Sequence, residues 1–248
     1  MLNQFLRTEL IIGKESMDIL QAARIAVFGI GGVGGYVVEA LVRSGIQHID
    51  IIDNDIVSLT NINRQIIATY STIGKYKVDV MKERILDINP DAEVNVYKCF
   101  YLPENCHQFD LTKYDYVADA IDTVTAKIQL ILQAKKSGTK IISSMGAGNK
   151  TDPTKFRVAD IFQTSVCPLA RVMRHECKKR KIEDVKVVFS TEPALSPVKN
   201  SPDSEPVPGS IAFVPSVMGL IIAGEIIKDL ILVDRIRIKK CHKFGFRD

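Results

Sequence analysis

The chain has 248 residues, enough for one large α/β domain or two small ones, and its 46% apolar and 25% charged residues are the balance of a globular protein rather than a disordered or fibrous one. A net charge of +4 selects no partner class by itself. The five cysteines, Cys99, Cys106, Cys167, Cys177 and Cys241, form no C-x-x-C pair, which excludes a zinc ribbon and a thioredoxin-type redox motif; an odd count in a chain of this size points to free thiols in a reducing compartment.

The N-terminal stretch MLNQFLRTEL lacks the basic start and apolar core of a signal peptide. Residues 15–22 predict a short helix, and 25–30 a compact strand of the kind buried in a parallel sheet. Residues 33–44 carry apolar side chains at helical spacing and stop at Gly45. A second strand, 49–53, ends on an acid. Residues 54–72 are polar and aperiodic, which predicts a loop with a short helical turn. A helix over 76–88 ends before Asn89-Pro90. Strands come next at 93–97 and 116–120, then a helix over 126–137 closed by Gly138, then a strand at 140–144 leading into Gly146-Ala147-Gly148. This alternation predicts an α/β fold with a Rossmann-like, doubly wound, mostly parallel sheet.

The second half predicts a C-terminal extension of mixed strands and helices. Strands at 156–161 and 185–190 flank a helix over 168–181. Residues 193–210 hold five prolines and four serines, the composition of a mobile loop. An apolar helix spans 214–233 with Pro215 in its first turn, and a last strand is predicted at 235–240. The longest apolar stretch, 217–233, is broken by Glu225, Lys228 and Asp229, which suits a buried helix and not a membrane span. The expectation is a cytoplasmic protein with no membrane partner, folded as a single domain over 1–248: a nucleotide-binding half (1–150) and a half that faces substrate and a second subunit (151–248).

The first strand runs into Gly29, Gly31, Gly32 and Gly34, a G-x-G-G-x-G turn before a helix. Such a turn lets backbone N–H groups reach phosphate oxygens, with the positive end of the helix aimed at them. The glycines alone do not separate NAD, FAD and ATP, and they would also serve close packing. Asp53, at the end of the second strand, stands where an acid takes hydrogen bonds from ribose hydroxyls. The residues after Asp53 favour ATP. Asp55, Asn61, Asn63, Arg64 and Gln65 share one loop, and an arginine there matches the charge of a triphosphate and of departing pyrophosphate. Lys77 comes next, in TIGKYK at a helix start, where an ammonium can bridge phosphate oxygens. In DAID, Asp119 and Asp122 close the fourth strand, where an acid holds Mg²⁺ on phosphates or caps the next helix.

Taken in order, G-x-G-G-x-G, the acid-ended strand, N-x-N-R-Q, G-x-x-K, I-N-P and D-x-x-D resemble the ThiF/MoeB superfamily, which shares its adenylating domain with ubiquitin-activating enzymes. The final helix VPSVMGLIIAGEIIKDL adds to the likeness, which covers about Arg7 to Leu232. The sulfur-carrier adenylating members usually carry two C-x-x-C zinc pairs, and this chain has none. Instead GAGNKTDPTKFRVADIFQT, CPLARVMR and VFSTEPA resemble the tRNA threonylcarbamoyladenosine dehydratases (TcdA/CsdL). Cys167 stands where that group commonly has Asp, and position alone gives it no catalytic role.

The resemblance implies ATP-dependent dehydration of threonylcarbamoyladenosine beside the anticodon, through adenylation of its threonyl carboxylate; the alternative is an adenylyltransferase for a ubiquitin-like sulfur carrier. It implies phosphate cradling by Gly29, Gly31, Gly32 and Gly34 and ribose binding by Asp53. Asp55, Asn63, Arg64, Gln65 and Lys77 would line the triphosphate, and Asp122 would hold Mg²⁺ through ATP. Arg64, Lys77 and Asp122 are the implied catalytic set. A homodimer offering Arg64 or Arg7 across its interface, a monovalent cation, no zinc, and a cysteine desulfurase system as partner complete the implication. For tRNA the chain adds its own sign: RVMRHECKKRK, with Arg171, Arg174, Lys178, Lys179 and Arg180, and the basic tail 235–248 both suit a phosphate backbone or a solvated surface.

Overall fold

In the computed structural model, residues 3–196 and 208–231 are described. Seven strands form one sheet: β1 (Arg24–Phe28), β2 (His48–Ile52), β3 (Glu93–Tyr97), β4 (Tyr116–Asp119), β5 (Lys140–Ser144), β6 (Phe156–Asp160) and β7 (Lys186–Ser190). Their spatial order is β3-β2-β1-β4-β5-β7-β6, parallel throughout except for β6, which runs antiparallel to β7. The central strands are apolar and buried on both faces, as a helix-covered parallel sheet demands.

Among the described residues seven α-helices flank the sheet: α1 (Leu6–Ile12), α2 (Lys14–Ala22), α3 (Gly34–Arg43), α4 (Lys77–Ile88), α5 (Val124–Ser137), α6 (Pro168–Lys179) and α7 (Phe213–Ile231). One core packs α3, α4 and α7 on one face of the sheet; the other packs α5 and α6 on the opposite face. The apolar helix α7 lies so close to α3 that a Cβ at Gly219 would stand 2.4 Å from the Val33 carbonyl oxygen. That approach requires glycine at 219, while Val214, Met218, Ile222 and Ile226 of α7 are buried in the core that α3 shares.

The elements expected from the sequence match within a few residues, with two departures. Helix α1 has no counterpart among them: it has only seven residues and buries none. Helix α6 stops at Lys179, two residues short, because Lys181 adopts φ +55°, outside the right-handed helix. The strand expected at 235–240 and the basic tail lie outside the described residues, as does most of the loop expected over 193–210.

The chain leaves β1 toward β2 and β3, then returns to lay β4 on the other side of β1. This reversal opens a crevice at the carboxyl ends of β1 and β4, the place where doubly wound sheets bind ligands.

Candidate active site

The crevice is a cleft of about 530 Å³. Its floor is the glycine turn between β1 and α3. Gly29 has φ +87°, and a Cβ there would meet the Ala120 carbonyl oxygen at 2.7 Å. At Gly34 a Cβ would fall 1.7 Å from the Gly29 carbonyl oxygen, so this glycine is dictated by the chain's own packing; it does not line the cleft. Gly31 and Gly32 do line it, and nothing crowds them closer than 3.9 and 3.4 Å. Their missing side chains leave room for a ligand.

Beyond β2, Asp53 fastens this floor. One carboxylate oxygen accepts the Ile30 N–H at 2.6 Å and the other accepts the Asp55 N–H at 2.8 Å. Burial pushes its pKa up, outweighing those bonds and the nearby Lys77 charge. Asp55 in turn holds the Lys77 ammonium at 2.6 Å, and Lys77 is only 5% exposed. A phosphate would meet an ammonium already desolvated and aimed.

The loop after β2 supplies the polar wall. Asn61, in a single helical turn, Leu59–Asn61, is buried and accepts the Ser58 N–H at 3.0 Å. The Arg64 guanidinium donates to the Thr60 carbonyl and to Asn63 Oδ1, both at 2.9 Å. Gln65 is 6% exposed, and its Oε1 is buried without a hydrogen-bond partner. Such an orphan costs stability unless a ligand answers it. Of the two asparagines in N-x-N-R-Q, the structure puts Asn61 and not Asn63 against the cleft. Asn63 does not line the cleft itself but bonds two residues that do, donating to the Ser210 carbonyl at 3.0 Å and accepting from Arg64. The helical turn decides which of the two faces in.

The two acids of DAID also divide. Asp119 and Lys127 are both fully buried and paired at 3.0 Å; Asp119 also accepts from Ser143 Oγ at 2.6 Å, and Lys127 donates to the Ile121 carbonyl at 2.9 Å. This network holds the turn rigid and takes Asp119 out of solvent. Asp122 is exposed, lines the cleft and gives α5 no cap; its one side-chain bond is a 3.3 Å contact from Thr123 Oγ1.

Nine of the eleven residues assigned to the nucleotide therefore meet in one cleft: Gly29, Gly31, Gly32, Asp53, Asp55, Arg64, Gln65, Lys77 and Asp122. Sequence reasoning gives no role to three further walls: Cys99–Phe100–Tyr101 after β3, Gly146–Gly148 after β5, and Pro208–Ser210 before α7. The first is apolar and fits the flat face of a base, with burial pushing the Cys99 thiol up. The adjacent aromatic pair Phe100-Tyr101 is the signal that could have found it; the 208–210 wall offers none.

On α6, Arg171, Lys178 and Lys179 are exposed. Arg174 turns inward to the Thr164 carbonyl at 2.9 Å, and Arg180 pairs with Glu176. Leu169, at the start of α6, lines the cleft, so the basic face begins beside it. Cys167 is buried in the apolar core behind Gly146.

The ThiF family model matches residues 3–244. The chain belongs to the ThiF family. Within it, a tRNA threonylcarbamoyladenosine dehydratase of Bacillus subtilis (strain 168) is 46% identical over 246 residues, 93% of this chain and 96% of that protein. A tRNA threonylcarbamoyladenosine dehydratase of Escherichia coli (strain K12) is 40% identical over 199 residues, 77% of this chain and 74% of that one. Among solved structures, the E. coli dehydratase TcdA in complex with ATP superposes on this ThiF-family chain with a TM-score of 0.86 at 35% identity, covering 93% of this chain and 95% of that one. The same enzyme has been solved with AMP. E. coli MccB, at 20% identity and a TM-score of 0.64, shares the fold.

Proposed function

We propose that this ThiF-family chain is an ATP-dependent enzyme that cyclises threonylcarbamoyladenosine beside the anticodon of tRNA. The observation that carries the reading is the convergence of the Arg64 and Lys77 cations and the Asp122 carboxylate on a cleft floored by bare Gly31 and Gly32. That arrangement asks for a polar, multiply charged ligand, and the ATP-bound relative has this fold.

The threonyl carboxylate attacks the α-phosphorus of ATP; the bond to the β-phosphate bridging oxygen breaks and pyrophosphate leaves. A nitrogen or oxygen of the same modification then attacks the acyl carbon, loses its proton, and AMP departs. The net change is loss of one water. Arg64 and Lys77 steady the charge on the leaving pyrophosphate, and the Asp53 oxygens keep free lone pairs for ribose hydroxyls.

Mg²⁺ fits this donor set. Among the described residues no three His, Cys, Asp or Glu side chains converge into a metal cage. Of the cleft carboxylates Asp53 holds two backbone N–H groups and Asp55 holds Lys77, which leaves Asp122, and Mg²⁺ is commonly held by one carboxylate together with phosphate oxygens. When bound, the ion would neutralise phosphate charge.

Three further features belong to the same reading. Arg171, Lys178 and Lys179 face out along α6 from the cleft, spaced to follow an RNA backbone. Exposed apolar side chains, Leu10 (78%), Ile11 (75%) and Tyr70 (82%), suit cover by a second copy, with Arg7, on the same helix as Leu10 and Ile11, reaching across while Arg64 serves its own cleft. Sedimentation at micromolar concentration is then expected to show a dimer. Action on tRNA calls for a cytoplasmic enzyme, and no helix among the described residues is long and apolar enough to cross a membrane.

The test is to incubate the protein with ATP, Mg²⁺ and tRNA carrying the modification, then weigh the digested nucleoside. Loss of one water, dependent on ATP and abolished by Asp122→Ala, is the expected result. Adenylation of a sulfur-carrier C-terminus with no change in the nucleoside would select the other branch of the family, and failure to bind ATP would sink both.

A further inference from the structure

An acyl-adenylate has two fates. Ring closure yields product; attack by water returns the carboxylate and AMP and wastes one ATP. An enzyme that adenylates and then cyclises must keep water from the acyl carbon in between.

The segment Pro208–Ser210 lines the cleft as one of its walls. It is fastened from two sides. On one side stands Asn149, just past Gly148. Its N–H donates to the Gly209 carbonyl at 2.8 Å, its Oδ1 accepts the Gly209 N–H at 2.6 Å, and its carbonyl accepts the Leu195 N–H at 2.8 Å. Asn149 makes these bonds at φ +58°, a left-handed conformation that Asn tolerates better than most residues. Gly148 lets the segment come close: a Cβ there would stand 3.2 Å from Pro208 Cβ. On the other side Asn63 donates to the Ser210 carbonyl at 3.0 Å while its own oxygen accepts from Arg64. The wall is thus tied to the guanidinium of Arg64, which lines the cleft.

Resting on the proposed adenylation, we infer that Asn149 and Asn63 are positioning residues that clasp the 208–210 segment over the cleft, so that the mixed anhydride closes its ring before water reaches the acyl carbon. Asn149 does not line the cleft and touches no phosphate position. Its role is read in partition, not in ATP binding. Hydrolysis balances as acyl-AMP plus water giving carboxylic acid plus AMP, so every failed cyclisation shows as AMP without cyclic nucleoside.

The experiment counts AMP released per cyclic nucleoside formed, on modified tRNA, in three proteins. Wild type gives a ratio near one. Asn149→Gly permits the left-handed backbone and removes the side-chain acceptor, releasing the Gly209 N–H to solvent; its ratio rises about tenfold while the ATP dissociation constant stays put. Asn149→Asp restores an acceptor and returns the ratio to that of wild type. A general loss of structure would lower AMP and cyclic product together and leave the ratio unchanged, and that result in Asn149→Gly overturns the clasp. So does an Asn149→Asp protein as uncoupled as the glycine variant. If wild type itself forms no cyclic nucleoside, the proposed function fails instead, and the two failures are told apart.

Discussion

Gly31 and Gly34 are three residues apart in one motif, and they are glycine for different reasons. A methyl group at Gly31 would have 3.9 Å of clearance to its nearest neighbour, Gln65 Nε2, while one at Gly34 would collide with the Gly29 carbonyl at 1.7 Å. Gly31→Ala is therefore expected to unfold within about 2 °C of wild type yet bind ATP about tenfold more weakly, because the added methyl takes ligand space. Gly34→Ala should cost about 3 kcal/mol or more, since backbone and not a flexible side chain must yield. Thermal unfolding and ATP titration calorimetry on the pair separate the two loads; equal loss of stability in both would refute the division. The same distinction runs through Asp119 and Asp122, where one carboxylate is buried against Lys127 and the other is left for the cleft.

Helices are joined by charge as well as by apolar packing. Glu39 on α3 is buried, accepting from Arg84 on α4 at 2.6 and 2.9 Å and from Arg43 at 2.7 Å. Burial works to raise its pKa, but the Arg84 and Arg43 hydrogen bonds prevail and hold it below the ordinary 4.5. A carboxyl depressed in the folded state adds stability above its unfolded pKa and loses that addition as pH falls through the folded value. The urea midpoint should therefore drop as pH falls below about 5, and drop less in Glu39→Gln. An identical pH dependence in the variant would show that Glu39 contributes nothing to acid stability. This link matters for the site because α3 begins at the glycine turn and α4 begins with Lys77, so the clamp keeps the two in register.

For the whole molecule the question is how a small cleft meets a large RNA. The cleft lies at one end of the sheet, and the outward face of α6 leads away from it with Arg171, Lys178 and Lys179 exposed. If those side chains track phosphates, the slope of log affinity against log salt should become shallower by about 1.4 in Lys178→Ala/Lys179→Ala, about 0.7 for each contact to single-stranded RNA. Arg174→Ala should leave that slope alone and lower stability instead, since its guanidinium is spent on Thr164. Fluorescence anisotropy with an anticodon stem-loop over a salt series reads both, and an unchanged slope in the double variant would move the RNA to another face.

The order of strands and helices, the glycine turn, the acid after β2 and the N-x-N-R-Q and Lys77 signals were legible in the chain because each is local: periodicity, a turn that needs glycine, a charge at a strand end. Local signals also named the charged residues that line the cleft, Asp53, Asp55, Arg64, Lys77 and Asp122. What they could not name depends on residues far apart in sequence. Whether Asn61 or Asn63 turns inward depends on a helical turn and on Ser210, 147 residues from Asn63. Whether Asp119 is a ligand or a buried partner depends on Lys127 and Ser143. The wall at 208–210 is held by Asn149 and Asn63, 60 and 147 residues away in the chain. Sequence by itself determined the elements and the chemistry on offer, since backbone propensity and side-chain type are properties of single residues and their neighbours. Tertiary structure decided which of those groups face the ligand and which hold the others still, because burial and hydrogen-bond partnership exist only once distant segments have packed.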